Sequence, residues 1–259
     1  MSLTATTSDG VTIHYDVQGA GPPIVLVHGL GDDRHAWQEL RSRCSTTFAT
    51  IALDSRGHGE SLGGTDYDPF ALHRDIEAVV AAERLPRPFL IGHSLGGVAV
   101  SSYAARNAVR GVINIDQPLE LSGLARRVRA LGDALYQQPA GQVVLGILRE
   151  IGLGGLSTAQ VEQLEATRAR LERHVLLGIW EPLFASPEQL ARSVRAAFSG
   201  IQAPYLSLHG GEPGGEYSAW LARLVPGADV EVWEGAGHFP HLTQPARFLA
   251  RVQSFMREK

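Results

Sequence analysis

Five short, unbroken apolar runs are spaced along the chain: "PPIVLVHG", "FATIALD", "PFLIGHS", "GVINID" and "APYLSLHG". Runs of this length, bounded by turn-forming residues, predict strands covered on both faces, as in a parallel sheet. Between them, "PFALHRDIEAVVAAERL" and "LGGVAVSSYAARN" repeat apolar positions at helical spacing. The alternation predicts βα units and an α/β fold with a mostly parallel, doubly wound sheet. The first segment, "VTIHYDVQG", instead alternates strictly before a glycine-rich turn, as half-exposed antiparallel strands do.

From residue 119 to 199 the pattern changes. "LARRVRALGDALY", "GQVVLGILREI", "STAQVEQLEATRARLERHVLLGIW" and "SPEQLARSVRAAF" are all helical in period, with no strand between them. Ser157 and Ser186 fit helix N-caps, and Pro187 fits a first helical position. The expected organisation is therefore a core formed by 1–118 and 200–259, with 119–199 inserted as a helical cap over the active edge of the sheet. No internal repeat or low-complexity tract is present. Open α/β sheets bind ligands beyond the carboxyl ends of their strands, and histidines, acids and Ser94 cluster there in this sequence.

Composition narrows the function. With 259 residues, 44% hydrophobic and 19% charged, the chain is that of a globular protein with a sizeable core. A net charge of −4 leaves no broad basic footprint for nucleic acid, and "ARRVRA" at 125–130 reads as a solvated helix face. The single cysteine, Cys44, allows neither an internal disulfide nor a thiolate metal cluster, which suits a reducing compartment. "MSLTATTSDG" lacks a signal-peptide pattern, and no apolar stretch approaches the ~20 residues of a membrane span. The expectation is a cytoplasmic protein that neither spans a membrane nor binds nucleic acid.

The most specific motif is "FLIGHSLGG", in which Gly92-His93-Ser94-Leu95-Gly96 matches G-x-S-x-G between an apolar strand and a helix. A serine on such a turn has a strained backbone, and small neighbours leave room for it. Its hydroxyl then stands at the sheet edge above a helix N-terminus with free N–H groups. The plainer reading of these residues is a glycine-rich βα turn with Ser94 as N-cap.

At this point the chain resembles the α/β-hydrolase superfamily over nearly its whole length. "VLVHGLGDD" resembles the family's H-G loop, "LDSRGHGES" its D-x-R-G-x-G-x-S turn, and "GAGHFPHLTQP" its late histidine loop. The resemblance implies an oxyanion hole from the backbone N–H groups of Leu30 and Leu95, with Gly29 and Gly31 letting the backbone approach the substrate. It assigns His28 to support of the H-G loop, and Asp54, Arg56, Gly57 and His58 to architecture.

A nucleophilic serine needs a base, and histidine can take and return a proton near neutrality. His238, in a glycine-flanked loop after "DVEVWE", resembles the family's catalytic histidine, with His241 as its competitor. The third member should be a carboxylate that fixes the imidazole tautomer. Most of the superfamily carries an Asp shortly after the strand that ends here in "HGGEPGG", but Pro213 occupies that slot. Glu212 lies one residue early, and Glu216 fits a helix start. Asp116, at the end of "GVINID", is the preferred acid, a placement known in lactone hydrolases of the zearalenone type. Glu212 stays open as the alternative.

Those lactonases also carry a cap tryptophan, to which Trp180 is similar. It either offers its indole N–H to a substrate oxygen or packs the cap against the core. The expected activity is hydrolysis of a small hydrophobic ester or lactone by Ser94, His238 and Asp116, without a metal or organic cofactor. Carbon–carbon bond hydrolysis, cofactor-free perhydrolysis and hydroxynitrile lysis use the same fold and triad, and a non-catalytic receptor shares the fold.

Overall fold

Successive residues of the central strands point into opposite cores. Ile24 and Leu26 of β3 (Pro23–Val27) pack with Trp37, Leu40, Phe248 and Phe255, whereas Val25 and Val27 join Ile76, Val79, Val98 and Val100. Because side chains alternate along a strand, one with helices on both sides must be apolar at every position.

The computed structural model describes residues 2–258. The other strands are β1 (Leu3–Thr6), β2 (Thr12–Gln18), β4 (Ala49–Leu53), β5 (Phe89–His93), β6 (Gly111–Ile115), β7 (Tyr205–His209) and β8 (Ala228–Val232). They form one sheet in the order β1-β2-β4-β3-β5-β6-β7-β8. β2 pairs antiparallel with both β1 and β4, and every later pairing is parallel. The short edge strand β1 is absent from the sequence expectation. Its four residues, "LTAT", carry too little apolar pattern and are held by their register on β2.

Helices α1 (Gln38–Cys44), α2 (His73–Ala82) and α3 (Leu95–Ala104) lie among the first strands. Between β6 and β7 come α4 (Ser122–Ala130), α5 (Ala134–Gln137), α6 (Ala140–Ile151), α7 (Thr158–Arg168), α8 (Arg173–Trp180) and α9 (Pro187–Phe198), the helical insertion that forms a cap. The chain ends with α10 (Tyr217–Leu224), α11 (Pro240–Thr243) and α12 (Pro245–Glu258). α1 and α12 cover one face of the sheet, α2, α3 and α10 the other, and α9 of the insertion packs against α3. α3 is buried along its whole length, so it has no polar stripe. Among the described residues no helix is long and apolar enough to cross a membrane.

Ser157 and Ser186 each close a reciprocal capping box, with Gln160 and Gln189, and Pro187 opens α9. The helical stretch predicted over 157–180 is divided into α7 and α8, although it contains no proline or glycine at the break. There Arg170 and Leu171 donate to carbonyls only three residues back, while Arg168 and Arg170 reach across to Asp32 and Asp33. The helix thus ends where these tertiary contacts are made.

Candidate active site

Ser94 joins β5 to α3 with φ 51° and ψ −121°, a conformation that L-residues seldom adopt. The flanking glycines follow from close backbone approach. A Cβ on Gly92 would stand 2.1 Å from the Gly96 carbonyl oxygen, and one on Gly96 would stand 2.1 Å from that of Val27. Either would force α3 away from the sheet.

The ladder continues one residue past the strand ends. Ser94 N–H donates to the Ile115 carbonyl at 2.9 Å and Asp116 N–H to that of Leu208 at 2.7 Å, so the two residues occupy adjacent positions at the sheet edge. Asp116 also has positive φ, 50°, which turns its side chain out of the strand direction; Asp tolerates this better than most residues.

Asp116 Oδ2 lies 2.7 Å from His238 Nδ1, and its Oδ1 accepts Gly210 N–H at 2.8 Å. Burial opposes ionisation of this carboxyl, but the His238 bond and charge together with Gly210 N–H hold it below the ordinary carboxylate range. A second imidazole, His209, has Nδ1 3.9 Å from Asp116 Oδ1 and Nε2 2.8 Å from Ser207 Oγ. Burial lowers its pKa to about 4 against the pull of Asp116, so it stays neutral at physiological pH. With Nδ1 of His238 engaged by Asp116, Nε2 is the nitrogen left for a reacting proton.

Ser94, Asp116, His238, Leu30 and Leu95 line one cavity of about 590 Å³. The backbone N–H groups of Leu30 and Leu95 have no partner among the described residues. His28 braces the first of these donors: its Nδ1–H donates to the Gly29 carbonyl at 2.8 Å and its Nε2 accepts Ser55 N–H at 3.0 Å. The cap contributes an apolar stretch, Val144 and Ile147 from α6 and Ile179 and Trp180 from α8, together with the charged Arg126 and Arg127 of α4, Glu150 of α6 and Arg168 of α7. Trp180 is 5% exposed, and its indole N–H makes no hydrogen bond among the described residues. Gly29 is not part of the wall. It lies behind the Ser94 turn, where a Cβ would stand 3.0 Å from His93 Nδ1 and 3.2 Å from Ser94 Cβ, so its smallness makes room for the turn.

Among the described residues Glu212, Glu216 and His241 form no hydrogen bond with Ser94, Asp116 or His238. Glu212 is exposed at the cavity rim and makes no hydrogen bond or ion pair among the described residues, and Glu216 precedes α10 without a side-chain cap bond. His241 is buried away from the cavity, its Nδ1 without a partner among the described residues. The "DSRGHGES" turn is a scaffold: Asp54 accepts the N–H groups of Arg34 and Glu60 at 2.7 and 2.8 Å, and Arg56 is bonded to Asp75 and Asp9. Among the described residues no group of His, Cys, Asp and Glu is arranged to hold a metal ion.

The profile of the Alpha/beta hydrolase family matches residues 24–251. The chain belongs to this family. The 2-(acetamidomethylene)succinate hydrolase of Mesorhizobium japonicum is 28% identical to it, covering 95% of this chain and 92% of that protein. An esterase from Exiguobacterium antarcticum superposes with a TM-score of 0.82 at 20% identity, over 99% of this chain and 100% of its own. Est816, described as an N-acyl homoserine lactone degrading enzyme, superposes with a TM-score of 0.80 at 25% identity, over 98% and 100%.

Three features of this alpha/beta hydrolase are not declared by its sequence pattern. His93, the variable position before Ser94, donates its Nε2–H to the His238 carbonyl at 2.8 Å. Burial, reinforced by His241 and His238, holds His93 well below the usual imidazole pKa, so it remains a neutral donor. Gly152 of the cap accepts His238 N–H at 2.8 Å. Arg168 of α7 is buried on the cavity wall beside the H-G loop, with Nε unpartnered among the described residues. Only the unusual "GLGG" and "RAR" strings hint at the last two.

Proposed function

We propose that this protein is a serine hydrolase that cleaves a small hydrophobic carboxylic ester, including lactones, through an acyl-enzyme on Ser94. The observation that carries this reading is the 2.7 Å contact between Asp116 and His238, on the wall of the same cavity as a serine in a strained strand-to-helix turn. Ser94 Oγ attacks the carbonyl carbon as its proton passes to His238 Nε2. Asp116 stabilises the imidazolium and fixes its orientation. The N–H groups of Leu30 and Leu95 receive the negative charge that develops on the carbonyl oxygen, each worth ~3 kcal/mol in the transition state. Collapse of the intermediate expels the alkoxide, which takes the proton from His238. Water, deprotonated by the same histidine, then releases the carboxylic acid. With a lactone the alcohol stays attached, and the product is one hydroxy acid.

The substrate class is supported by the apolar stretch of the cap wall and by the likeness to Est816, whose described activity is degradation of an acyl lactone. The narrower likeness to zearalenone-type lactonases rests on Asp116 and Trp180 alone. The test is labelling by a fluorophosphonate, lost in Ser94→Ala, together with turnover of a graded panel of esters and lactones. Absence of both labelling and turnover in the wild type rejects the reading and leaves a receptor of the hydrolase fold.

A further inference from the structure

We propose that the α6–α7 hairpin of the cap is a positioning element that holds the base and the oxyanion donors in register with Ser94, beyond serving as a wall of the substrate cavity. The proposal rests on the serine-hydrolase reading above. Its first support is the hairpin turn. Gly152 accepts the backbone N–H of His238 itself at 2.8 Å. Gly154, at φ +62°, comes so near that a Cβ there would stand 2.2 Å from the Ala236 carbonyl oxygen, and a Cβ on Gly237 would stand 2.3 Å from Gly154 N. Side-chain packing against a cap can slide. Here backbone meets backbone directly, at a distance that only glycine admits.

The second support lies at the other end of α7. Arg168 lays its Cγ against Gly31, where a Cβ would stand 2.8 Å away, and its guanidinium is 3.5 Å from Asp32 Oδ2 and 5.9 Å from the centre of the Phe239 ring. Arg170 bonds Asp33 at 2.7 Å. Gly31 follows Leu30 and Phe239 follows His238, so one side chain packs on the neighbour of an oxyanion donor and lies near the neighbour of the base. Gly141 of α6 closes the hairpin at this end, since a Cβ on it would stand 2.1 Å from the Arg168 carbonyl oxygen. The unpartnered Nε of a buried arginine is unfavourable, and a role in packing alone would favour an aliphatic residue there.

The test compares wild type, Ser94→Ala, Gly154→Ala and Arg168→Met. It measures the rate of Ser94 labelling by a small fluorophosphonate, and kcat and KM on a short-chain aryl ester. Neither probe fills the cap, so lost substrate contacts have little influence on the result. Labelling and kcat are expected to fall together by about 10- to 100-fold in each folded variant, with KM within about threefold of wild type. Wild-type labelling rates with only KM raised would overturn the proposal. A wild type that does not label overturns the serine-hydrolase reading first, and the positioning role with it. The two variants alter opposite ends of the hairpin, so either one, if folded by circular dichroism, decides. Amide exchange on the unaltered protein gives a readout independent of mutation: the His238 N–H is expected to exchange in step with the amides of α6. Exchange ahead of α6 would show that turn and loop part, which would also overturn the proposal.

Discussion

Asp116 and His238 stand 122 residues apart in the chain and meet at 2.7 Å, with Asp116 anchored from its other oxygen by Gly210 N–H. Only one carboxylate oxygen is free to orient the imidazole, and the other is fixed by backbone. Replacing the acid by its amide keeps the shape but can present an NH2 to His238 and stabilise the wrong tautomer. Asp116→Asn is therefore expected to lower kcat by about 10³- to 10⁴-fold with little change in KM. Glu212→Gln, altering an exposed rim residue, should leave kcat within about twofold. Steady-state kinetics on any ester that turns over will rank them, and the opposite ranking rejects Asp116.

The glycines around Ser94 provide a stability test. A methyl on Gly96 would stand 2.1 Å from a backbone carbonyl oxygen of β3, and backbone cannot swing aside as a side chain can. Gly96→Ala should cost at least about 1–3 kcal/mol in urea unfolding and remove activity, because relief of the clash moves the turn that carries Ser94. A methyl on Gly63 would meet nothing within 4 Å, and Gly63→Ala is the matched control, expected within about 0.5 kcal/mol of wild type. Equal stability of the two variants would contradict the packing described for the turn.

Trp180 distinguishes a polar from a purely steric cap wall. Its ring is buried while its N–H has no partner among the described residues, which leaves the donor for a substrate oxygen. Trp180→Phe keeps an aromatic wall and removes the donor. A loss of about 2- to 10-fold in kcat/KM is expected for a lactone or ester with a second oxygen, the worth of one hydrogen bond. If Trp180→Phe matches wild type while Trp180→Ala is impaired, the indole serves only to fill space.

What could be read from the sequence was what local pattern dictates. Unbroken apolar runs marked β3 to β7, because strands covered on both faces have no polar side. The turn at Ser94, the cap's serine N-caps and the glycine-flanked His238 loop each declare themselves within a few residues. The contacts among loops did not, since they depend on elements distant in sequence. Nothing near Arg168 indicates that Gly31 lies opposite, and the break after α7 coincides with the contacts of Arg168 and Arg170 to Asp32 and Asp33. Gly29 is ambiguous for a related reason: a glycine in such a loop admits either ligand or protein, and the sequence does not show that Ser94 and His93 pack against it. The meeting of Asp116 with His238 likewise depends on the sheet order, which sets β6 between β5 and β7.

Acid should weaken the fold through its histidines before it reaches the carboxylates. Burial holds His58 and His241 at a pKa of about 3 and His209 at about 4, and His93 well below its ordinary value. In the unfolded chain the same groups titrate near 6.5. Between that value and their folded pKa values, the unfolded state binds protons that the native state refuses, so stability rises with pH and falls as pH drops. Each such histidine contributes up to about 1.4 kcal/mol per pH unit in this window. Asp116 acts with the same sign but lower down: its folded pKa is depressed, and its contribution disappears only as pH falls through the carboxylate range. Urea unfolding at pH 7, 6 and 5 should therefore show a steady loss of stability already under way above pH 5. His241→Phe should reduce the slope, because it removes one proton-accepting site from the unfolded chain while keeping a ring beside Trp37 and His93. A stability that stays flat from pH 7 to 5 would mean that these imidazoles take up protons in the native state, and that the burial described for them is not maintained in solution.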